Sequence, residues 1–590
     1  MNTLKTIRSP ARLFRPQYSR LAGLMLAGFM GFPAMSQAAE SQEQVKQELQ
    51  GLREQTQRIM QRIQELEHEL ATSEPPVLPV AGPGQIVPRS FSYVGNTVFS
   101  SKVLDKLTSQ YIGKATDFDG LSDVADAIKD YYHKRGYFLA VAFLPKQDVT
   151  DGVVTIQVLE GRIGKIKLTQ SDPKGMRVRE SQVAGMVNTA LKPGDLITEN
   201  KIERPLLLLR DLPGVQMQST INHGEEPGTA DIDLVAEPDP TARRITSNIQ
   251  VDNYGNRFTG QNRLGLNSSI NGLTGIGDVL NFQGFTTGQG TFFGDVGYQA
   301  PVGNYGTHLG VNYGHMNYLL GKDFTQLQAQ GTADIADVYL AHPIYRAKDK
   351  NMFAQVGYEN KKLVDSQLGL PDSPKNIDAI KFQLNGDWRG TGNVNVYTVD
   401  MMLANLTIND AQMLAADQST SGYNTAGHFS KLNFDYQRLQ QIVPNWALFL
   451  STSGQLADRN LTSAEKFVLG VPDHVRGYPV GEGEGDQGIV ATTELRYSVP
   501  KFHVGLGTLV VSAFYDYGRI QYNQNLSQAP VSLQSLPNGR ELSSYGFAFN
   551  LGHVDDYLFR TIFAWHGASA PTSDSVDPTT RIWLEVIKWF

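Results

Sequence analysis

Lys431-Leu432-Asn433-Phe434-Asp435-Tyr436-Gln437 is the stretch that decides how this chain folds. Side chains of an extended backbone alternate between two faces. Leu432, Phe434 and Tyr436 therefore share one face, and Lys431, Asn433, Asp435 and Gln437 share the other. The same reading applies to Ile245, Ile249 and Val251, which interleave with Thr246, Asn248 and Gln250. Leu280, Phe282 and Phe285 are read likewise against Asn281 and Gln283. One such segment also suits a soluble sandwich. The array decides: from Thr241 onward no convincing helix interrupts segments of about ten residues punctuated by Gly, Asn, Asp and Pro. It ends on an aromatic residue, with Ile582, Leu584, Val586 and Phe590 assigned to one face. Residues 241–590 are thus expected to form a transmembrane β-barrel of about 16 antiparallel strands, about 22 residues per strand and loop. The count alone also admits about 14 or 18. Closure is required because lipid cannot satisfy an open sheet edge.

Composition agrees with that class. Hydrophobic residues make up 41% of 590, and the mean hydropathy of -0.28 is too low for a helical membrane protein. A barrel shows lipid only every second residue, so its average stays modest. Gly (57) and Tyr (24) are frequent, as strands and interfacial girdles require. A net charge of -7 offers no basic face, so no nucleic-acid partner is expected. With no cysteine, the chain cannot rely on disulfides.

The N-terminus reads as a secretory signal over residues 1–39. Lys5, Arg8, Arg12, Arg15 and Arg20 precede an apolar run from Leu21 to Phe32, and Ser36-Gln37-Ala38 supplies small residues for cleavage. Residues 40–72 carry a heptad seam through Val45, Leu49, Leu52, Thr56, Ile59, Ile63, Leu66 and Leu70. A helix over that seam would be about 39 Å long. A Pro-rich linker, residues 73–88, follows with Pro75, Pro76, Pro79, Pro83 and Pro88.

Between Phe91 and Pro240 a small α+β pattern occurs twice, in the order strand, helix, helix, strand, strand. In the first copy the strands are Phe91–Val94, Ala140–Leu144 and Val153–Leu159, and the helices Val103–Gln110 and Leu121–Lys134, the latter stopped by Gly136. In the second the strands are Ile166–Leu168, Val215–Ile221 and Ala230–Val235, with helices at Glu180–Ala190 and Glu199–Leu212. The modules are placed at residues 89–164 and 165–240.

Three groups of residues stand out. The first is Val475-Arg476-Gly477-Tyr478-Pro479, followed by Gly485-Asp486-Gln487-Gly488 and Glu494-Leu495-Arg496-Tyr497. The second is Phe514-Tyr515-Asp516-Tyr517-Gly518. The third is the module pair. Together they resemble the two-partner secretion transporters, the TpsB type (ShlB/FhaC/HecB-like) of the outer-membrane insertase superfamily, and the modules look like POTRA domains. The first module carries Arg135-Gly136-Tyr137, Pro145-Lys146-Gln147 and Glu160-Gly161-Arg162-Ile163; the second carries Leu212-Pro213-Gly214-Val215 and Gly228-Thr229-Ala230-Asp231. The resemblance implies a loop around residues 471–488 folded into the barrel lumen, with Arg476 contacting Asp516 on the wall beside Phe514 and Gly518. A guanidinium can hold a carboxylate through two parallel hydrogen bonds, as lysine cannot. Gly477 is expected to permit a sharp turn that aims the arginine. Phe590 resembles a barrel assembly signal, although Lys588 stands where the family favours an aromatic.

The resemblance further implies an outer-membrane pore with its N-terminal domains in the periplasm. It would recognise an unfolded, TpsA-like, β-helical exoprotein and secrete it to the cell surface. Outer-membrane lipid and the barrel assembly machinery are its other implied partners. Modules of this kind can accept an extended peptide as an added strand, or can act as rigid spacers. The N-terminal helix could plug the pore, associate as a coiled coil through its seam, or remain a tail. A barrel-insertion factor of the same superfamily is the nearest alternative, usually with three or more POTRA modules; a passive porin is the next. No catalytic motif, cofactor site or metal-ligand spacing stands out, so no enzyme is expected. Gly483-x-Gly485-x-x-Gly488 matches a dinucleotide fingerprint in letters only, since Glu482, Glu484 and Asp486 would meet the pyrophosphate. A phosphate-binding loop is absent too, so export is expected to be driven by the partner folding outside.

Overall fold

The computed structural model describes residues 86–590, except 150, 369, 372–373, 501–506 and 574–579. The expected signal peptide, the N-terminal helix and the linker up to residue 85 lie outside the described residues. The chain divides after Pro240 into two compact units.

In the first unit, β1 (Ser90–Val94), α1 (Ser101–Thr108), α2 (Phe118–His133), β2 (Val141–Phe143) and β3 (Val153–Leu159) form one module with sheet order β1-β3-β2. Asp117 starts α2 by accepting from the Gly120 amide at 2.9 Å. Leu121, Val124, Ala125, Ile128 and Tyr132 then form its buried stripe. The helix run stops at Gly136, whose φ of 89° suits glycine. Ile86 bridges Thr116, so the last linker residues belong to this module. The second module, β4 (Arg162–Gln170), α3 (Glu180–Ala190), α4 (Glu199–Arg210), β5 (Val215–His223) and β6 (Thr229–Pro238), repeats the order with sheet β4-β6-β5. Its first strand begins at Arg162, ahead of the boundary read at 165.

The modules are joined through a short polar link, a buried glutamate followed by a partly exposed arginine, rather than a slack tether. Glu160 accepts from the Thr97 amide at 2.6 Å, the Val98 amide at 2.7 Å and the Tyr132 hydroxyl at 2.9 Å. Burial first, and then Glu160 itself, raises the Tyr132 phenol above its ordinary value, so it stays a donor. Gly161 follows with φ of 74°, and a Cβ there would lie 2.8 Å from the Leu139 Cβ. Arg162 then donates to the Gly194 carbonyl at 3.0 Å and the Thr97 hydroxyl at 2.9 Å, one partner in each module. Phe138 and Leu139 pack against the core of the second module.

The second unit is a closed antiparallel barrel of sixteen long strands. They are β7 (Ile245–Asp252), β8 (Arg263–Asn271), β9 (Val279–Thr286), β10 (Phe292–Val302), β11 (Thr307–Leu319), β12 (Gln330–Arg346), β13 (Lys350–Gln367) and β14 (Lys375–Gly390). Then come β15 (Asn393–Ile408), β16 (Gly427–Val443), β17 (Trp446–Ala457), β18 (Gln487–Ser498), β19 (Thr508–Gln521), β20 (Gly539–His553), β21 (Tyr557–His566) and β22 (Arg581–Trp589). The last strand pairs with the first through Glu585 to Trp589 against Asp252 to Asn248, which removes both edges. Among the described residues no helix is long and apolar enough to cross a membrane; the strands supply the crossing. Among the described barrel strands register slips at two places, between Gln441 and Val443 in the β16–β17 pair and at Pro343. Pro343 cannot donate, and the β12–β13 register slips between Pro343 and Tyr345.

Burial is inverted relative to a soluble protein. On β22, Ile582, Leu584 and Val586 are exposed outward while Trp583 and Glu585 are buried inward. On β16, Lys431 and Asn433 are buried on the lumen side with Phe429. Two expectations need correction. Phe285 shares the parity of Asn281 and Gln283, so it points inward and packs on Phe293 with ring centroids 5.7 Å apart. A short helix, α5 (Ala411–Asp417), does occur between β15 and β16; Asp410 caps it by accepting from the Gln412 and Met413 amides. Seven residues are too few to show helical periodicity in sequence.

Candidate functional site: the loop inside the barrel

Residues 458–486 connect β17 to β18 and fold into the lumen. The loop makes its own hairpin stem, with Phe467 and Val468 paired to Gly485 and Glu484. The stem is extended by Leu469 donating to the Gly483 carbonyl at 2.9 Å and Gly470 to the Glu482 carbonyl at 2.7 Å. The loop is therefore wider than the 471–488 read from sequence, and residues 487 and 488 already belong to β18. Its apolar side chains face the wall in two directions. Leu469, Val475 and Tyr478 pack with Val490, Ile520 and Leu542; Val468, Val471 and Val480 pack with Phe514, Ala548, Ile562 and Trp583.

The loop tip presents Arg476 to the wall. Its Nε and Nη2 donate to the two carboxylate oxygens of Asp516 on β19, at 3.0 and 2.7 Å, and its own backbone amide reaches Asp516 at 3.2 Å. Nη1 donates to Glu494 on β18 at 2.6 Å. The guanidinium carbon lies 3.4 Å from the Phe514 ring centroid, and the Arg476 carbonyl accepts from the Trp583 indole at 2.8 Å. Asp516 also accepts from Thr492 at 3.0 Å and Ser544 at 2.8 Å, so both of its oxygens are fully occupied. Burying such a pair is tolerable only with this satisfaction, because each ion leaves water at a cost of several kcal/mol.

The flanking residues give the arginine its place. Val475 and Tyr478 are fully buried, and the Tyr478 hydroxyl donates to the Ser569 carbonyl at 2.7 Å. Gly477 has no positive φ among the described residues, so the expected turn is not its role. The reason is crowding: a Cβ there would sit 2.8 Å from the His566 backbone and from the Ser544 Cβ. Gly518 also leaves space, since a Cβ would lie 2.8 Å from the Leu469 Cδ2 and 2.9 Å from the Val475 Cγ2. Phe590 is away from this site. Its amide donates to the Ser247 carbonyl at 2.9 Å, beside the closing seam, and its side chain is exposed.

Sequence reasoning did not assign Glu494, Thr492, Ser544 or Trp583. The signal was present for two of them: Thr492, Glu494 and Arg496 share one parity on β18, and Arg496 Nε donates to Glu494 at 2.7 Å. Trp583 and Ser544 are brought in only by barrel closure and register.

Residues 86–161 match the family model of the POTRA domain, ShlB-type. Residues 228–536, more than half of the chain, match the model of the haemolysin secretion/activation protein ShlB/FhaC/HecB. The chain belongs to this ShlB/FhaC/HecB family. As a member it is an outer-membrane barrel with its N-terminal modules in the periplasm. This ShlB/FhaC/HecB-family chain is 29% identical over 495 residues to the heme/hemopexin transporter protein HuxB of Haemophilus influenzae (strain 86-028NP), covering 82% of this chain and 84% of that one. It is 22% identical over 461 residues to the outer membrane transporter CdiB of Dickeya dadantii (strain 3937), covering 75% and 78%. In fold it is similar to the solved structure of CdiB from Escherichia coli, with a TM-score of 0.68 at 20% identity, covering 92% and 98%.

Proposed function

We propose that this chain is a pore, not an enzyme, which captures an unfolded partner exoprotein with its two periplasmic modules and secretes it through the barrel to the cell surface. The observation that carries the reading is the lumen loop itself. A passive pore gains nothing from a buried arginine shared between two wall carboxylates, whereas a gated one needs a plug with a defined seat. Asp516, with Phe514 and Gly518, is that seat; Val475, Arg476, Gly477 and Tyr478 are the part that occupies it. Capture would use backbone hydrogen bonds along a free strand edge, which suits any extended segment and lets side-chain pockets add selectivity.

The partner is a TpsA-like polypeptide, extended in transit and β-helical once folded outside. Its folding supplies the direction, since no phosphate-binding loop offers a nucleotide-driven step. HuxB is named a heme/hemopexin transporter protein, so cargo related to heme or hemopexin is the first to test. Lipid contacts the outward apolar band, and Phe590 at the seam serves recognition by the barrel assembly machinery. The test is co-expression with a TpsA-like exoprotein, comparing the intact chain with one lacking residues 86–240. The partner should reach the medium only with the intact chain. Equal export by both would remove the capture role.

A further inference from the structure

Eleven residues before Arg476, on the same loop, Glu465 ends a short turn at Ser463–Glu465 and is 1% exposed. A buried carboxylate must be paired or it costs more than the loop can return. Lys361 of β13 donates to its Oε1 at 2.6 Å, and Lys431 of β16 lies 2.6 Å from its Oε2. Lys431 also donates to the Glu465 carbonyl at 3.1 Å, which in addition accepts from Gln455 at 2.8 Å. Around them the wall carries further carboxylates: Glu359, 3.1 Å from Lys361 and 3.2 Å from Lys381 of β14, with Asp337 and Asp400 close enough to act on the lysines. Without Glu465, Lys361 keeps Glu359, while Lys431 loses the carboxylate 2.6 Å away. The tip clasp has the opposite polarity: a loop cation held by wall anions Asp516 and Glu494, with Arg496 beside them.

Resting on the reading of the loop as a movable plug, we propose that Glu465 is a second positioning residue, a reverse-polarity clasp that holds the root of the loop while Arg476 holds its tip. Each clasp seats the loop against a different part of the wall, β13 and β16 at the root and β18 and β19 at the tip. Withdrawal breaks both, and uncovers Lys361 and Lys431 on one wall and Asp516 and Glu494 on the other. A passing polypeptide with carboxylates and ammonium groups can then meet complementary charge on both sides. The lysines come from strands far apart in sequence, and no motif joins them to the tip.

The test uses the full-length protein in planar lipid bilayers, with heat-modifiable electrophoretic mobility as the check on barrel folding. Glu465→Gln keeps the volume and loses the charge. It should leave mobility unchanged and raise the frequency of current transitions about tenfold. The charge-exchanged double variant Glu465→Lys, Lys431→Glu, which leaves Lys361 paired with Glu359, should bring that frequency part of the way back toward the unaltered protein. A merely structural glutamate would not be rescued in this way. If Glu465→Gln does not fold, Glu465→Asp keeps the charge on a shorter arm and should give an intermediate frequency. Currents indistinguishable from the unaltered chain in a folded Glu465→Gln or Glu465→Asp variant would overturn the clasp. Changed currents in a chain that exports no partner would instead remove the secretion reading and leave the clasp standing.

Discussion

Arg476 and Asp516 meet inside the barrel as a two-pronged pair, Nε and Nη2 each on its own carboxylate oxygen at 3.0 and 2.7 Å, although forty positions separate them in sequence. The third guanidinium nitrogen is taken by Glu494 at 2.6 Å. A single cation thus bridges two buried anions on neighbouring strands, and Arg496, 2.7 Å from Glu494, supplies the second positive charge.

Arg476→Ala should leave the barrel assembled and lower partner secretion at least about tenfold, because breaking one side of a buried ion pair costs about 3–5 kcal/mol and the loop bears that cost. Arg476→Lys should recover little, since an ammonium cannot make the two parallel hydrogen bonds to Asp516 that the guanidinium makes while its third nitrogen holds Glu494. Partner protein in the medium, measured against barrel content of the outer membrane, decides it. Normal export by the alanine variant would end the assigned role.

Gly477→Ala should impair secretion more than Gly518→Ala. At Gly477 the added methyl meets backbone atoms of His566 at 2.8 Å, which cannot step aside. At Gly518 it meets ends of the Leu469 and Val475 side chains, which can rotate. The same secretion assay ranks the two, and the reverse ranking would show that the loop is not seated against β21.

Tyr132→Phe removes one of four donors from Glu160 in the first module. A hydrogen bond to a charged group is worth about 1.5–3 kcal/mol, and the three remaining donors soften its loss. Faster amide hydrogen exchange of residues 90–161 in the full-length protein is expected, with the barrel strands unchanged. Uniform exchange across both units would mean that the residue acts globally.

Phe590→Ala should lower the amount of heat-modifiable barrel in the membrane without changing the pore formed by the molecules that do assemble. The side chain is exposed, and its backbone amide keeps the Ser247 contact whatever the side chain is. An unchanged yield would assign barrel assembly to other residues.

The barrel was legible because alternation is a local property. Lys431 to Gln437 shows its two faces in seven letters, and pairing merely places the polar one in the lumen. The structure departs from the expectation where side-chain chemistry and parity disagree or where the local pattern is silent. Phe285 is apolar yet carries the inward parity, and α5 is too short for a period. Gly477 was assigned a torsional role, whereas its constraint is the nearness of His566, a residue the sequence places eighty-nine positions away (566 − 477).

Sequence alone determined the strand-rich barrel, the repeated module in front of it, and the two motifs that carry Arg476 and Asp516, because these depend on residue order over short spans. Only tertiary structure decided which wall groups share the loop's charges. Closure of the sheet brings Glu494 and Asp516 to the tip and Lys361 and Lys431 to Glu465, and a buried charge is governed by whatever lies within a few ångströms, however distant along the chain.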